Sequence, residues 1–124
     1  MAKILLIEDD KFLQKVYTQQ LQSQSGWTVV IADDGEIGLA LAASELPNII
    51  LLDLIIPKKD GFTVLQELKA NPQLANIPVI ITSGLGQEAD IKKGMDLGAV
   101  DYMSKSDSTM DIIVEKVQKN LPQQ

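Results

Sequence analysis

NIILLD at Asn48–Asp53, followed by LIIPKKDG at Leu54–Gly61, carries the strongest signal for the fold. An aliphatic run without polar alternation is typical of a strand that is buried on both faces of a parallel sheet. The carboxylate of Asp53 follows that run directly, and Asp60-Gly61 is an ordinary turn and helix-start signal. The stretch therefore predicts a central strand that carries an acidic group to one edge of a sheet.

Comparable apolar runs recur on both sides of this one at fairly even spacing. We predict strands at Lys3–Glu8, Trp27–Ala32, Pro78–Ser83 and Ala99–Met103. The first three of these runs are nearly continuous, whereas the last is shorter and more polar, as an edge strand is. With Asn48–Asp53 they make a predicted set of five strands.

Segments with helical spacing separate the predicted strands. Their apolar faces are predicted to carry Leu13, Val16, Tyr17 and Leu21; Ile37 and Leu41; Phe62, Leu65 and Leu68; Ile91 and Met95; and Ile113, Val117 and Leu121. Asp60 and Ser108 are predicted N-caps, and Gly26 and Gly98 are expected to follow helix C-termini. Strands that alternate with helices predict an α/β fold, (βα)5, with right-handed crossovers and helices on both sheet faces.

The composition excludes several kinds of chemistry. The 124 residues include no Cys, His or Arg, and 11 Lys stand against 17 Asp and Glu, for a net charge of -6. Disulfides, thiolate metal sites and His-dependent triads are therefore excluded. The acidic balance argues against a direct nucleic-acid partner. Apolar stretches are too short to span a membrane, and a single cytoplasmic domain over residues 1–124 is expected.

The predicted strand ends bring a particular set of side chains to one edge of the sheet. The first strand delivers Glu8–Asp10, the third Asp53, the fourth Thr82, and the fifth is followed by Lys105. Ligands of open α/β sheets bind beyond these carboxyl ends. If the first and third strands are neighbours, their carboxylates converge and repel one another unless a cation is present. Oxygen-only ligands favour a hard ion such as Mg²⁺.

A carboxylate, a hard metal, a hydroxyl and a lysine are the parts needed to accept a phosphoryl group on Asp53. Each part also has a plainer interpretation, since acidic pairs often cap helices and a lone loop lysine is usually solvated. The whole set is far more specific than its members, because four strand ends each supply a required group.

With these residues the chain resembles, over its whole length, the receiver domain of two-component response regulators, including single-domain chemotaxis receivers. The resemblance implies a flavodoxin-like sheet of order 2-1-3-4-5. It implies that Asp53 accepts the phosphoryl group, and that Glu8, Asp9 and the backbone carbonyl of Ile55 join Asp53 in holding Mg²⁺. It further implies that Thr82 is the switch hydroxyl, Lys105 pairs with the phosphate, and Tyr102 is an aromatic rotamer switch.

The function implied by the resemblance is a phosphorylation-dependent switch rather than a conventional enzyme. The donor would be a histidine kinase or histidine phosphotransfer protein, and the face of the fourth helix, fifth strand and fifth helix would change for a downstream protein target. A monomer or weak dimer without membrane or direct nucleic-acid contact is expected. The chain departs from the family pattern at Ser106, where a proline, commonly in cis, often follows the lysine. It also departs at Ile55, where a polar residue is common.

Three alternatives remain. A Mg²⁺-dependent aspartyl-phosphate phosphatase would typically carry a second Asp two residues after the nucleophile, where this chain has Ile55. Gly84–Ala89 fits a G-x-G-x-x-A dinucleotide fingerprint, but it follows the fourth strand and lies near an acidic pocket. The fold could also be an interaction module that is never phosphorylated, although no residue favours that.

Overall fold

The structure, a computed structural model, describes residues 2–24, 26–84, 88–105 and 110–122. The strands are β1 (Ala2–Ile7), β2 (Trp27–Ala32), β3 (Ile49–Asp53), β4 (Val79–Ser83) and β5 (Asp101–Ser104). The helices are α1 (Lys11–Gln22), α2 (Gly35–Glu45), α3 (Gly61–Ala70), α4 (Glu88–Asp96) and α5 (Met110–Asn120). The predicted N-cap Ser108 and the Lys105–Ser106 bond fall outside the described residues.

The five strands form one parallel sheet of order β2-β1-β3-β4-β5. This arrangement confirms the flavodoxin-like α/β fold and places β5 at an edge, as its polarity indicates. β5 begins at Asp101 rather than at the predicted Ala99, because the N–H of Ala99 bonds to the carbonyl of Gly94 and closes the end of α4. All five residues of β3 are buried, as its uninterrupted aliphatic run predicts.

Alternate residues of the strands face two separate cores. On one side, Leu5 and Ile7 of β1 pack with Leu65 of α3. On the other side, Ile4 and Leu6 pack with residues of α1 and α5 that include Tyr17, Leu21, Ile113 and Val117. Because both faces of the central strands are covered, their carboxyl ends are the part of the sheet that is left to bind polar groups.

The predicted apolar faces of α2 and α4 are wrong in part. Ile37 is 42% exposed and Met95 36% exposed, whereas Gly38 and Gly94 face the sheet. A Cβ on Gly38 would lie 2.6 Å from Ile7 Cδ1, and one on Gly94 would lie 2.1 Å from Ile81 Cδ1. Glycine at these positions therefore lets helix and strand approach closely, and the larger apolar residues lie toward the flanks.

The N-terminal ends of the first three helices are capped by aspartates. Asp10 accepts from the N–H groups of Phe12 and Leu13, Asp34 from that of Ile37, and Asp60 from that of Thr63. These bonds satisfy backbone donors that have no partner within the helix, and each typically contributes about 1 kcal/mol. Among the described helices, none is long and apolar enough to cross a membrane.

Candidate functional site

Three carboxylates lie together at the carboxyl ends of β1 and β3. The two strands pair in register, Ile7 beside Leu52, which places Glu8 and Asp9 next to Asp53. One oxygen from each carboxylate lies within 4.8 Å of the others. Glu8 is 1% and Asp53 3% exposed, whereas Asp9 is open to solvent. The cluster therefore has a buried floor and one exposed side through which a ligand can enter.

The ammonium of Lys105, at the end of β5, reaches this cluster. Its Nζ lies 2.7 Å from Asp53 Oδ2 and 3.0 Å from Glu8 Oε1. Burial alone would lower the pKa of Lys105, but the hydrogen bonds and charges of Asp53 and Glu8 outweigh it, so the pKa is raised. The lysine therefore remains an ammonium at neutral pH and offsets part of the negative charge.

Burial makes Glu8 a weak acid in this arrangement. Desolvation is the largest cause that raises its pKa to about 7, and the charge of Asp53 adds to it. The N–H of Asp10, which donates to Glu8 Oε2 at 3.0 Å, and the ammonium of Lys105 act in the opposite direction. Without a bound cation, Glu8 therefore keeps its proton to a higher pH than an ordinary glutamate does.

The loop after β3 holds Asp53 from its other side. The N–H of Ile55 donates to Asp53 Oδ1 at 3.2 Å, and the Ile55 side chain is 68% exposed. Gly61 at the start of α3 packs on the same segment, and a Cβ there would lie 2.6 Å from the carbonyl oxygen of Asp53. Asp60-Gly61 is therefore more than the turn signal that the sequence indicated, since Gly61 allows α3 to pack against the Asp53 backbone.

Thr82 and Tyr102 continue the line of predicted residues across the sheet. Thr82 pairs in register with Asp53 and is 1% exposed. Tyr102 points outward, 44% exposed, with Lys116 Nζ 4.9 Å from its ring centroid. Lys116 also donates to Asp101 Oδ1 at 2.9 Å, so α5 is fastened to the edge strand beside the tyrosine.

Asp10 and Gln14, at the start of α1, have contacts that the sequence does not indicate. The sequence places Asp10 among the acids of the pocket, but its carboxylate caps α1. Gln14 is buried, and its Nε2 donates to the carbonyl of Glu8 and to Asp33 Oδ1. A polar residue in an amphipathic helix gives no sequence signal of such a contact. Of the dinucleotide-like stretch Gly84–Ala89, the residues 85–87 lie outside the described part of the chain.

A family model described as the response regulator receiver domain matches residues 4–118. The chain belongs to the response regulator receiver family. Its relatives include the DNA-binding dual master transcriptional regulator RpaA of Synechocystis, 43% identical over 85% of this chain and 43% of RpaA. The response regulator PleD of Caulobacter vibrioides is 38% identical over 84% of this chain and 23% of PleD. The receiver chain thus spans less than half the length of these curated relatives.

Solved structures of receivers match nearly the whole chain. The Mn²⁺-bound response regulator Rcp1 has a TM-score of 0.85 and 32% identity, covering 99% of this chain and 100% of Rcp1. The chemotaxis protein CheY4 of Vibrio cholerae has a TM-score of 0.88 at 23% identity, over 98% of this chain and 99% of CheY4, and shares the fold. The oxygen-only cluster of Glu8, Asp9 and Asp53 suits a hard divalent cation, which these residues fit by donor type and spacing.

Proposed function

We propose that this receiver is a phosphorylation-dependent signalling switch whose acceptor is Asp53. The observation that carries the proposal is the position of the Asp53 carboxylate. It is buried beside two further carboxylates and lies 2.7 Å from the ammonium of Lys105. A nucleophilic carboxylate that lies in a cation-binding cluster and pairs with an ammonium is the arrangement that phosphoryl transfer requires.

The proposed transfer begins with attack by a carboxylate oxygen of Asp53 on the phosphorus of a phosphohistidine. The new O–P bond forms as the P–N bond breaks, and its electron pair goes to the imidazole nitrogen, which takes a proton. The product is an acyl phosphate on Asp53 and a neutral histidine. The exposed side of the cluster at Asp9 gives the donor access, and the chain's lack of His requires that the donor belong to another domain or protein.

Glu8, Asp9, Asp53 and the backbone carbonyl of Ile55 would hold Mg²⁺ in this scheme. The ion supplies charge neutralisation for the phosphoryl oxygens, which carboxylates alone would repel. Lys105 adds a second positive charge beside Asp53 and Glu8, and its raised pKa keeps that charge in place. The exposed oxygen of Asp9 leaves room for water and a phosphoryl oxygen as further ligands.

Thr82 and Tyr102 would respond to the charge of the phosphoryl group by movements that alter the protein surface. The Thr82 hydroxyl, beside Asp53 in register, would turn to donate to a phosphoryl oxygen. Its movement would leave space for the ring of Tyr102, which is exposed in this structure, to turn inward. The face formed by α4, β5 and α5 would then present a different surface to a downstream protein.

The partners and setting are part of this proposal. A histidine kinase or histidine phosphotransfer protein would supply the phosphoryl group, and the chain would work as a cytoplasmic monomer or weak dimer. We propose no direct contact with nucleic acid or membrane. RpaA is named as DNA-binding, but this chain aligns with only 43% of it, so that activity is not carried over.

A phosphatase is the main rival for the same site. Ile55 occupies the position at which such an enzyme needs a second acid, and its aliphatic side chain can neither donate nor accept a proton. We therefore propose that the chain catalyses its own phosphoryl transfer and slow dephosphorylation only. Multiple-turnover hydrolysis of a phosphate ester in Mg²⁺ would contradict this view.

Phosphotransfer from a labelled phosphohistidine protein tests the proposal. Panels of autophosphorylated histidine kinases and phosphotransfer domains are incubated with the receiver in Mg²⁺, and label on the receiver is followed over time. We expect transfer to wild type in Mg²⁺, with loss of transfer in a chelator and in Asp53→Asn. Equal labelling of Asp53→Asn would contradict the assignment of the acceptor.

A further inference from the structure

A buried glutamine of α1 contacts the backbone of the proposed metal ligand Glu8. Gln14 is 7% exposed, and its Nε2 donates both to the carbonyl oxygen of Glu8 and, at 2.6 Å, to Asp33 Oδ1. Glu8 and Asp33 follow β1 and β2 respectively. One side chain of α1 therefore ties together the ends of two neighbouring strands.

The contact matters because β1 ends at Ile7, before the metal ligands begin. The N–H of Glu8 still donates to the carbonyl of Ala32 at 3.0 Å, so the backbone hydrogen bonds between β1 and β2 continue as far as the Glu8 N–H. The Glu8 carbonyl, in contrast, accepts a hydrogen bond from the Gln14 side-chain amide rather than from a neighbouring strand. A buried carbonyl without a partner is costly, so Gln14 stabilises this orientation of the peptide.

The orientation of the Glu8–Asp9 peptide sets where both carboxylates point. Glu8 is also held through its side chain, which accepts from the N–H of Asp10. Asp9 lies between these two fixed points, and its exposed carboxylate belongs to the acidic cluster. Freeing the Glu8 carbonyl would let this peptide rotate and would spread the oxygens that now lie within 4.8 Å of one another.

We propose that Gln14 is a positioning residue that pre-organises the cation site through the Glu8 carbonyl. This inference rests on the proposed function, since it assumes that Glu8 and Asp9 hold Mg²⁺. Groups that orient metal ligands from outside typically change metal affinity by roughly 10–100-fold when they are removed. Because Gln14 acts through the backbone rather than a ligand side chain, we expect about a tenfold effect.

Calorimetric titration with Mg²⁺ alone tests this proposal without any phosphoryl donor. Gln14→Leu keeps the side-chain size but loses the amide, and it should weaken Mg²⁺ binding by about tenfold. Gln19→Leu makes the same change on the exposed side of α1 and should leave the affinity unaltered. Asp33→Asn retains the bond from Gln14 to Glu8 and should also bind Mg²⁺ as wild type does.

Thermal unfolding without Mg²⁺ is measured alongside, so that a merely structural role can be recognised. A Gln14→Leu protein that is less stable but binds Mg²⁺ with wild-type affinity overturns the inference. If Gln14→Leu does not fold, Gln14→Met, which is unbranched like glutamine, is titrated instead with the same expectation. Wild type that binds no Mg²⁺ overturns the magnesium proposal and this inference together, whereas an unchanged variant overturns the inference alone.

Discussion

Lys105 Nζ lies 2.7 Å from Asp53 Oδ2, although the two residues belong to strands that are separated in the sheet by β4. The same ammonium lies 3.0 Å from Glu8 Oε1. The Lys105 ammonium thus neutralises part of the acidic cluster that we propose as the Mg²⁺ site. In the proposed function, the lysine and the metal ion would therefore compete for these carboxylates before phosphorylation and would both neutralise the phosphoryl group after it.

Lys105→Met should lower stability and tighten Mg²⁺ binding in the unphosphorylated protein. Without the ammonium, two buried carboxylates lose their partner, which we expect to cost about 3 kcal/mol of unfolding free energy in the absence of Mg²⁺. Mg²⁺ should restore most of that loss, with an affinity about tenfold higher than that of wild type. Denaturant unfolding with and without Mg²⁺ measures both effects.

The matched control for this variant is Lys92→Met, which removes the same charge from an exposed position on α4. It should change neither the stability nor the Mg²⁺ affinity appreciably. Mg²⁺ binding that weakens in Lys105→Met would show that the lysine supports the cation site rather than competing with the ion.

The pKa of Glu8 predicts a dependence of Mg²⁺ binding on pH. Its value of about 7, raised chiefly by burial, means that the carboxyl must lose a proton before it can hold the ion. Mg²⁺ affinity should therefore rise as the pH increases through 7 and then level off. Calorimetry in buffers of different ionisation enthalpy should detect proton release at acidic pH and none well above 7. Glu8→Gln should abolish that release.

The same pKa fixes the sign of a stability effect in the absence of Mg²⁺. The folded-state pKa of Glu8, about 7, lies above its ordinary value of 4.5, so folding binds a proton between these values. The contribution of Glu8 to stability is fully present below 4.5 and is lost as the pH rises through 7. Between these pH values, the stability of Glu8→Gln should depend less on pH than that of wild type. Identical pH–stability curves for the two proteins would contradict the assigned pKa.

Ile55→Asn should shorten the lifetime of the phosphorylated form. The Ile55 side chain is 68% exposed beside Asp53, and its aliphatic surface cannot orient an attacking water. An amide at this position can hold a water near the phosphorus, so loss of phosphate should become several-fold faster. Ile55→Val, which stays apolar, is the control. Equal rates in Ile55→Asn and wild type would contradict this role.

Gly61→Ala should lower stability and Mg²⁺ affinity more than Gly94→Ala does, although both glycines lie in helices that pack on the sheet. At Gly61 a Cβ meets backbone, 2.5 Å from Leu54 Cα and 2.6 Å from the Asp53 carbonyl oxygen, so the loop after β3 must shift. We expect a loss of roughly 2 kcal/mol and weaker Mg²⁺ binding. At Gly94 a Cβ meets only the end of the Ile81 side chain, and alanine favours the helix by up to about 1 kcal/mol.

Gly94→Ala should therefore be nearly neutral in stability and unchanged in Mg²⁺ binding. Chemical denaturation together with Mg²⁺ titration distinguishes the two variants. Comparable losses of stability and affinity in both would mean that Gly61 has no particular relation to Asp53.

The sheet could be predicted from the sequence because uninterrupted aliphatic runs report burial on both faces, and the family resemblance supplied the strand order. The acidic cluster could be anticipated for a related reason. Parallel strands end at the same edge, so Glu8, Asp9 and Asp53 had to meet once β1 and β3 were neighbours. Neither inference needed side-chain geometry.

The helix faces of α2 and α4 could not be predicted in the same way. The periodic pattern identifies a buried helix face by its apolar side chains, whereas Gly38 and Gly94 face the sheet because they have no side chain. The roles of Asp10 and Gln14 were hidden for another reason. An aspartate after a strand can ligate a cation or cap a helix, and only the bonds to the N–H groups of Phe12 and Leu13 decide between these for Asp10.

Chemical trapping of an aspartyl phosphate shows whether Asp53 itself carries the phosphoryl group. The receiver is incubated with phosphoramidate and Mg²⁺, reduced with borohydride, which converts an aspartyl phosphate to homoserine, and mapped by tandem mass spectrometry. We predict homoserine at position 53 of wild type, dependent on Mg²⁺, and none elsewhere. Homoserine at another aspartate, or no trapped product at 53 under conditions in which a known receiver is labelled, would contradict the account.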